Sequence, residues 1–119
     1  MNDQTIEQEI QAKGLTAPRI TPQDIEANIA ECHYFTAGEG VAGATGIYPN
    51  GGIPVQPLAL LTFCVLVLNN GFTVTGESAC ASPENFDAEI GRKIARQNAV
   101  QKILPLMGYA LKDKLAQEE

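Results

Sequence analysis

From Leu58 to Leu68 the chain is an almost unbroken apolar run, Thr62 being its one polar member, and Asn69-Asn70-Gly71 follows directly. The segment Leu61 to Leu68 is rich in β-branched and aromatic side chains and reads as a strand. An Asn-Gly pair directly behind a strand is the strongest short-range hairpin signal. A second strand is expected from Phe72 to Ala79. A two-residue turn at Asn70-Gly71 would set Val67 opposite Val74, Leu66 opposite Thr75 and Cys64 opposite Glu77. One face of the second strand then carries Thr73, Thr75 and Glu77. The first strand is apolar on both faces and requires cover on both. With 119 residues there is room for one domain and few elements to provide that cover. The expected architecture is therefore a small α+β single domain over 1–119, a two-stranded antiparallel hairpin packed with three or four helices, with a subunit interface completing it as a homo-oligomer.

The remaining segments fill in around the hairpin. Asp3 to Lys13 reads as a short helix with Ile6 and Ile10 four apart and Gly14 at its end, within a weakly ordered N-terminal arm over 1–18. Thr21 can cap a second helix, with Pro22 at its first position and Asp24 at the third completing a capping box. Ile25 and Ile29 share a face, and that helix is expected to run to about His33–Thr36. Residues 37–57 are Gly- and Pro-rich without helical period and read as a long loop, a length that usually signals function. Ser82-Pro83-Glu84 opens a third helix with a cap, a proline and an acid. Phe86, Ile90, Ile94, Val100 and Leu104 form its apolar face, and Pro105 stops it. After Met107-Gly108, Tyr109 to Gln117 gives a last amphipathic helix with Leu111 and Leu115 four apart.

Charge excludes one broad function. Fourteen acids against eight bases give a net charge of −6, a field that repels a DNA or RNA polymer. A small anionic nucleotide needs only a few local cations, however. No Lys or Arg lies between Arg19 and Arg92, while Arg92, Lys93, Arg96, Lys102, Lys112 and Lys114 make the last third locally basic. A solvated, salt-bridged helix surface is the plainer explanation of that stretch. The three cysteines Cys32, Cys64 and Cys80 lack CxxC spacing, and the chain opens without a signal-like segment, which fits reduced cytosolic thiols. The apolar run is also shorter than the ~18–20 residues that cross a bilayer, so no membrane partner is expected.

Familiar chemical motifs are weak. Gly38-Glu-Gly40-Val-Ala-Gly43 spells a dinucleotide fingerprint but lacks its strand-to-helix setting and the acid that would hold a ribose, so it is rejected. His33 is the single histidine, and no nucleophile elbow or orienting partner accompanies it. The cysteines sit in separate elements, which disfavours zinc, so no metal, cofactor or enzymatic activity is expected. Acids among Glu77, Glu84, Asp87 and Glu89 suit a helix N-terminus and pairing with Arg92 or Lys93 as well as acid–base work. The corner that combines Thr75 and Glu77 with Asn85 and Asp87, and with Arg92 and Arg96 one and two turns on, suits a nucleotide. An amide and a carboxylate can read a purine edge, and guanidinium groups can fork onto phosphates.

The stretch Leu61-Thr-Phe-Cys-Val-Leu-Val-Leu-Asn-Asn-Gly-Phe-Thr-Val-Thr-Gly-Glu-Ser-Ala-Cys80, with Ser82-Pro-Glu-Asn-Phe-Asp-Ala-Glu-Ile-Gly-Arg-Lys-Ile-Ala95 and Asn98-Ala-Val-Gln-Lys-Ile103, resembles a family of small tailed-phage proteins. That family looks like the first type of Thoeris anti-defence protein. The resemblance implies a signal sponge, a phage protein in the cytoplasm of the infected bacterium. Such a protein binds cyclic ADP-ribose isomers made by TIR-domain enzymes and holds them without cleavage. For some members it also implies cyclic trinucleotides of the CBASS system at separate sites, within a hexamer of dimers. The Asn-Phe-Asp of the motif, read as contacting the purine, corresponds to Asn85 and Asp87. An arginine before the first capped helix corresponds to Arg19, and a cation late in the long helix to Lys102. Thr75 stands where some relatives stack an aromatic on adenine. Arg92 joins this expected ligand-binding set. The alternative is a phage protein that inhibits a host enzyme by binding it.

Overall fold

The computed structural model describes residues 3–46 and 56–118. In chain order it contains α1 (Asp3–Ala12), α2 (Pro22–Ala27), β1 (Ile29–Thr36), α3 (Ala37–Thr45), α4 (Gln56–Ala59), β2 (Leu61–Leu68), β3 (Thr73–Ala79), a 3-10 turn (Pro83–Asn85) and α5 (Ala88–Gln117). The three strands form one antiparallel sheet in the order β1-β2-β3. The α+β class is as expected, but the hairpin is joined by a third strand.

That strand corrects the expected second helix. The Thr21 capping box is present, with Asp24 N donating to Thr21 Oγ1 at 3.1 Å and Thr21 N donating to Asp24 Oδ2 at 2.9 Å. The helix nevertheless ends at Ala27, and Ile29–Thr36 pairs along β2. The segment His33-Tyr34-Phe35-Thr36 is aromatic and β-branched, and pairing on the open edge of β2 outweighs the four-residue spacing of Ile25 and Ile29. The expected loop over 37–57 also changes. Thr36 caps α3 through a second box with Glu39 (Glu39 N to Thr36 Oγ1, 3.2 Å), and Gly46 closes it in the left-handed region. Residues 47–55 lie outside the described residues.

The hairpin forms one residue out of the expected register. Leu66 faces Val74, Cys64 faces Gly76 and Val67 faces Thr73. Leu68 N donates to the Phe72 carbonyl at 2.8 Å, so the loop has three residues, Asn69-Asn70-Gly71, with Gly71 at φ +89°. This is a tight turn closed by a left-handed glycine, which adds one residue relative to a two-residue turn. Because alternation is independent of register, Thr73, Thr75 and Glu77 still share the exposed face of β3.

The core lies between the sheet and α5. Thr62, Cys64, Leu66 and Leu68 of β2 and Val74 of β3 face Ala95, Ala99 and Ile103. The helix therefore presents its small side chains inward. Ile90, Ile94 and Leu104, expected in the core, are exposed. The cause is Gly76, where a Cβ would collide with the Ala95 carbonyl and the Ala99 backbone, so the helix rests directly on the strand. Pro105 does not end the helix either. Thirty residues from Ala88 to Gln117 form one element that absorbs the proline, and the expected last helix is its C-terminal part. The second face of β2 is only partly covered, chiefly near its start, where Phe63 stacks on Phe35 with ring centroids 5.5 Å apart.

Candidate functional site

The corner that enters α5 is built differently from the expected cap. Ser82 makes no capping bond; its hydroxyl donates to Glu84 Oε2 at 2.6 Å and holds that carboxyl below its usual range. Pro83–Asn85 make a single 3-10 turn, with Asn85 N donating to the Ser82 carbonyl at 3.0 Å. Asp87 is the residue that caps α5, its Oδ1 accepting from Ile90 N at 3.0 Å. Asn85 and Asp87 are both exposed. The chain is extended through Phe86 and Asp87 between the turn and the helix, so Asn85 and Asp87 stand two residues apart just ahead of α5.

The other expected residues divide between this corner and more distant places. Arg92 lies five residues along α5 from Asp87, about 7.5 Å of helical rise, and is exposed with no carboxylate partner among the described residues. Arg96 does not extend that patch. Its guanidinium grips Glu26 of α2 in a fork at 3.0 and 2.9 Å, holding the Glu26 carboxyl down and its own proton more tightly. Glu89 pairs with Lys93 at 3.3 Å. Lys102 is exposed fifteen residues from Asp87, about 22 Å along the helix. Thr75 points to the face of the sheet away from α5, opposite Val65. Arg19 is engaged by Glu7 in a second fork, which with a bond from Gln11 pushes the Glu7 carboxyl down to about 2. Its neighbour Ile20 lies by the C-terminal part of α5. One copy of the chain thus sets Asn85 and Asp87 just ahead of α5, with Arg92 five residues along it on another side of the helix, and leaves Arg19, Thr75 and Lys102 apart.

A feature that sequence reasoning missed lies at that far end. Ile20, Asp24 and Asn28 from the α2 region, Asn69 of the hairpin loop, and Met107 and Lys114 of α5 line an open groove of about 490 Å³. Its walls come from three distant segments, so no local spacing announces it. The thiols of Cys32 and Cys64 approach to 3.8 Å beneath α5, and burial, with the Cys32 thiol next, pushes Cys64 up to about 12. His33, on the opposite face of β1 from Cys32, meets Glu31 at 2.8 Å and is exposed. Among the described residues no group of three His, Cys, Asp or Glu could hold a metal ion, and no helix is long and apolar enough to cross a membrane.

No curated protein and no solved structure matches the chain. A family model does match, over residues 20–115, which takes in α2, the whole sheet, the Asn85–Asp87 corner and nearly all of α5, while α1 and Arg19 precede it. By that match the chain belongs to the phage protein family of N4 Gp49 and phage Sf6 gene 66.

Proposed function

We propose that this phage protein is an anti-defence sponge that binds cyclic ADP-ribose isomers and holds them without cleaving them, with cyclic trinucleotides as a second ligand class at a separate site. The observation that carries the reading is the Asn85–Asp87 corner. An amide and a carboxylate stand two residues apart at the start of a long helix, with Arg92, unpaired among the described residues, five residues on. The amide and the free carboxylate oxygen suit the donor–acceptor edge of a purine, and the guanidinium suits a pyrophosphate. The resemblance of the Asn-Phe-Asp segment to anti-Thoeris proteins supports the same assignment. Sequestration needs tight binding and no turnover, and a site shared between copies in a dimer-based hexamer would surround such a ligand and exclude water. The site of action is the cytoplasm of the infected bacterium.

The test is incubation with TIR-derived cyclic ADP-ribose isomers and with cyclic trinucleotides, followed by filtration, heat denaturation and chromatography of the released material. Intact ligand recovered only after heating supports a sponge. Altered ligand indicates an enzyme, and ligand left free throughout overturns the reading. Asn85→Ala and Asp87→Asn should each lower the recovered ligand at least tenfold; full recovery from both variants would remove the corner from the site. A second reading, a protein that inhibits a host enzyme by binding it, draws on the exposed Phe72, Ile90 and Ile94 and predicts that the same two variants are silent.

A further inference from the structure

On the face of the sheet that meets α5, three chemically reactive side chains come together and none has a part in the proposed ligand site. Cys32 and Tyr34 share one face of β1, and Cys64 lies on the same face of β2, with Tyr34 opposite Cys64 and Cys32 opposite Leu66. The two cysteines are thus diagonal neighbours across the strand pair, and their Sγ atoms are 3.8 Å apart. Both are free thiols. They differ in access: Cys64 has no exposed surface and burial pushes its thiol up to about 12, whereas Cys32 is only partly buried. Arg96, which grips Glu26, also holds its guanidinium beside the Cys32 thiol, and the exposed Tyr34 brings its hydroxyl to the same place. Burial alone accounts for a cysteine as a small apolar side chain. It does not call for a second thiol in contact with the first, nor for two hydrogen-bond donors beside the more open one.

We infer that Cys32 and Cys64 form an oxidation site, at which a hydroperoxide is consumed and a disulfide joins β1 to β2. Cys32 is the attacking residue because solvent reaches it. Its sulfur, as the thiolate, attacks one peroxide oxygen; the S–O bond forms as the O–O bond breaks, and the departing oxygen takes up the proton that the thiol released. Arg96 and Tyr34 can donate hydrogen bonds to that departing oxygen. Cys32 is then a sulfenic acid. The Cys64 sulfur attacks the Cys32 sulfur, the S–S bond forms as the S–O bond breaks, and the hydroxyl leaves with the Cys64 proton as water. In sum two thiols give up two electrons and two protons, and the hydroperoxide becomes an alcohol, or water, plus water.

The placement gives each thiol a distinct part. Sulfurs already in van der Waals contact need only small side-chain rotations to bond. A resolving thiol in contact with the sulfenic acid stops oxidation at the reversible disulfide, before the sulfinic stage that ordinary reductants cannot undo. The bond fastens the edge strand β1 to the central strand and closes a loop from Cys32 to Cys64 that contains α3 and α4. In a reducing cytoplasm both thiols stay free until a peroxide arrives, the usual pattern of redox-responsive pairs there.

The test is treatment of the full chain with a small excess of hydrogen peroxide, followed by alkylation in denaturant, digestion without reductant and mass spectrometry. A single chain lighter by two hydrogens, with Cys32 linked to Cys64 and Cys80 alkylated, is expected, and dithiothreitol should restore all three thiols. Cys32→Ser should lose the internal link, and Cys64→Ala should hold a sulfenic acid at Cys32 that dimedone traps; circular dichroism checks that each variant is folded. The oxidised wild type should unfold at a higher urea concentration than the reduced chain. A link that involves Cys80, sulfinic acid at Cys32 without a link, or two thiols that remain alkylatable overturns the site, and the wild-type peptide map decides this without any variant. A lower urea midpoint in the linked chain would overturn the claim that the bond fits the native strand pair. None of these readouts involves a nucleotide, so they stand or fall apart from the proposed sponge.

Discussion

Gly76 decides how close the helix can come to the sheet. It sits mid-strand, where glycine ordinarily weakens β-structure, and the compensation is that the α5 backbone rests directly on it. Ala95 and Ala99 complete the contact because larger side chains would lift the helix away. A methyl group at Gly76 would meet backbone atoms that cannot rotate aside, so the helix must shift as a unit. Gly76→Ala should destabilise the fold by roughly 1–3 kcal/mol or more, the range for overpacking a tight contact, read as a lower urea midpoint. An unchanged midpoint would mean that the helix is free to move outward. The residue-scale lesson is that small side chains carried the core signal. Gly91, Ala95 and Ala99 recur every four residues, yet their hydrophobicity is eclipsed by the Ile and Leu residues on the outer face. Only the glycine on the partner strand shows which stripe turns inward.

At the scale of elements, local capping chemistry was legible at Thr21 but not at Ser82, which makes no capping bond and leaves Asp87 to cap α5. Thr21 and Asp24 formed the expected box, and the Thr36–Glu39 pair that starts α3 is the same kind of box with Glu in place of Asp, within a stretch whose glycines suggested a loop. The hairpin was legible too, but not its register, since Asn69-Asn70-Gly71 supports loops of two or three residues. β1 was not legible, because an edge strand depends on a neighbour thirty residues away in sequence. The candidate site shows the same division: Asn85 and Asp87 are two residues apart at the entry to α5, with Arg92 five further on, whereas Arg19, Thr75 and Lys102 depend on tertiary placement. Asp87 carries two roles that mutation can separate. As the cap of α5, Asp87→Ala should cost about 0.5–2 kcal/mol, while Asp87→Asn keeps a capping oxygen and should cost far less. If both variants unfold at the same urea concentration as wild type, the cap contributes nothing to stability. A difference between them gives the stability correction needed before any loss of ligand is assigned to Asp87.

The molecule as a whole is extended: its radius of gyration is 18.4 Å and its extents are 60 × 30 × 17 Å, whereas a compact chain of this length has a radius of about 13.5 Å. Two things stretch it, the long α5 and the α1 arm. The arm buries little and is tied to the body at one conspicuous point, where Glu7 is clasped by Arg19 and Gln11. Because the folded Glu7 carboxyl is held down to about 2 from 4.5, that clasp favours the docked arm fully above pH 4.5 and loses its contribution as pH falls toward 2. The body depends on a different resource, the apolar contact of β2 and β3 with α5, which has no carboxylate at its centre. Heteronuclear relaxation of the Ile6 and Ile10 amides should therefore report growing motion of α1 between pH 4.5 and 2, ahead of any change at Leu66 or Ala99. In Glu7→Gln the same amides should be mobile already at pH 7 and insensitive to pH across that window. An arm in wild type that stays equally ordered down to pH 2 would mean that apolar contacts, not the ion pair, hold it. The arm lies almost wholly before the family match, so loosening it separates what α1 adds from what the shared sheet and α5 provide.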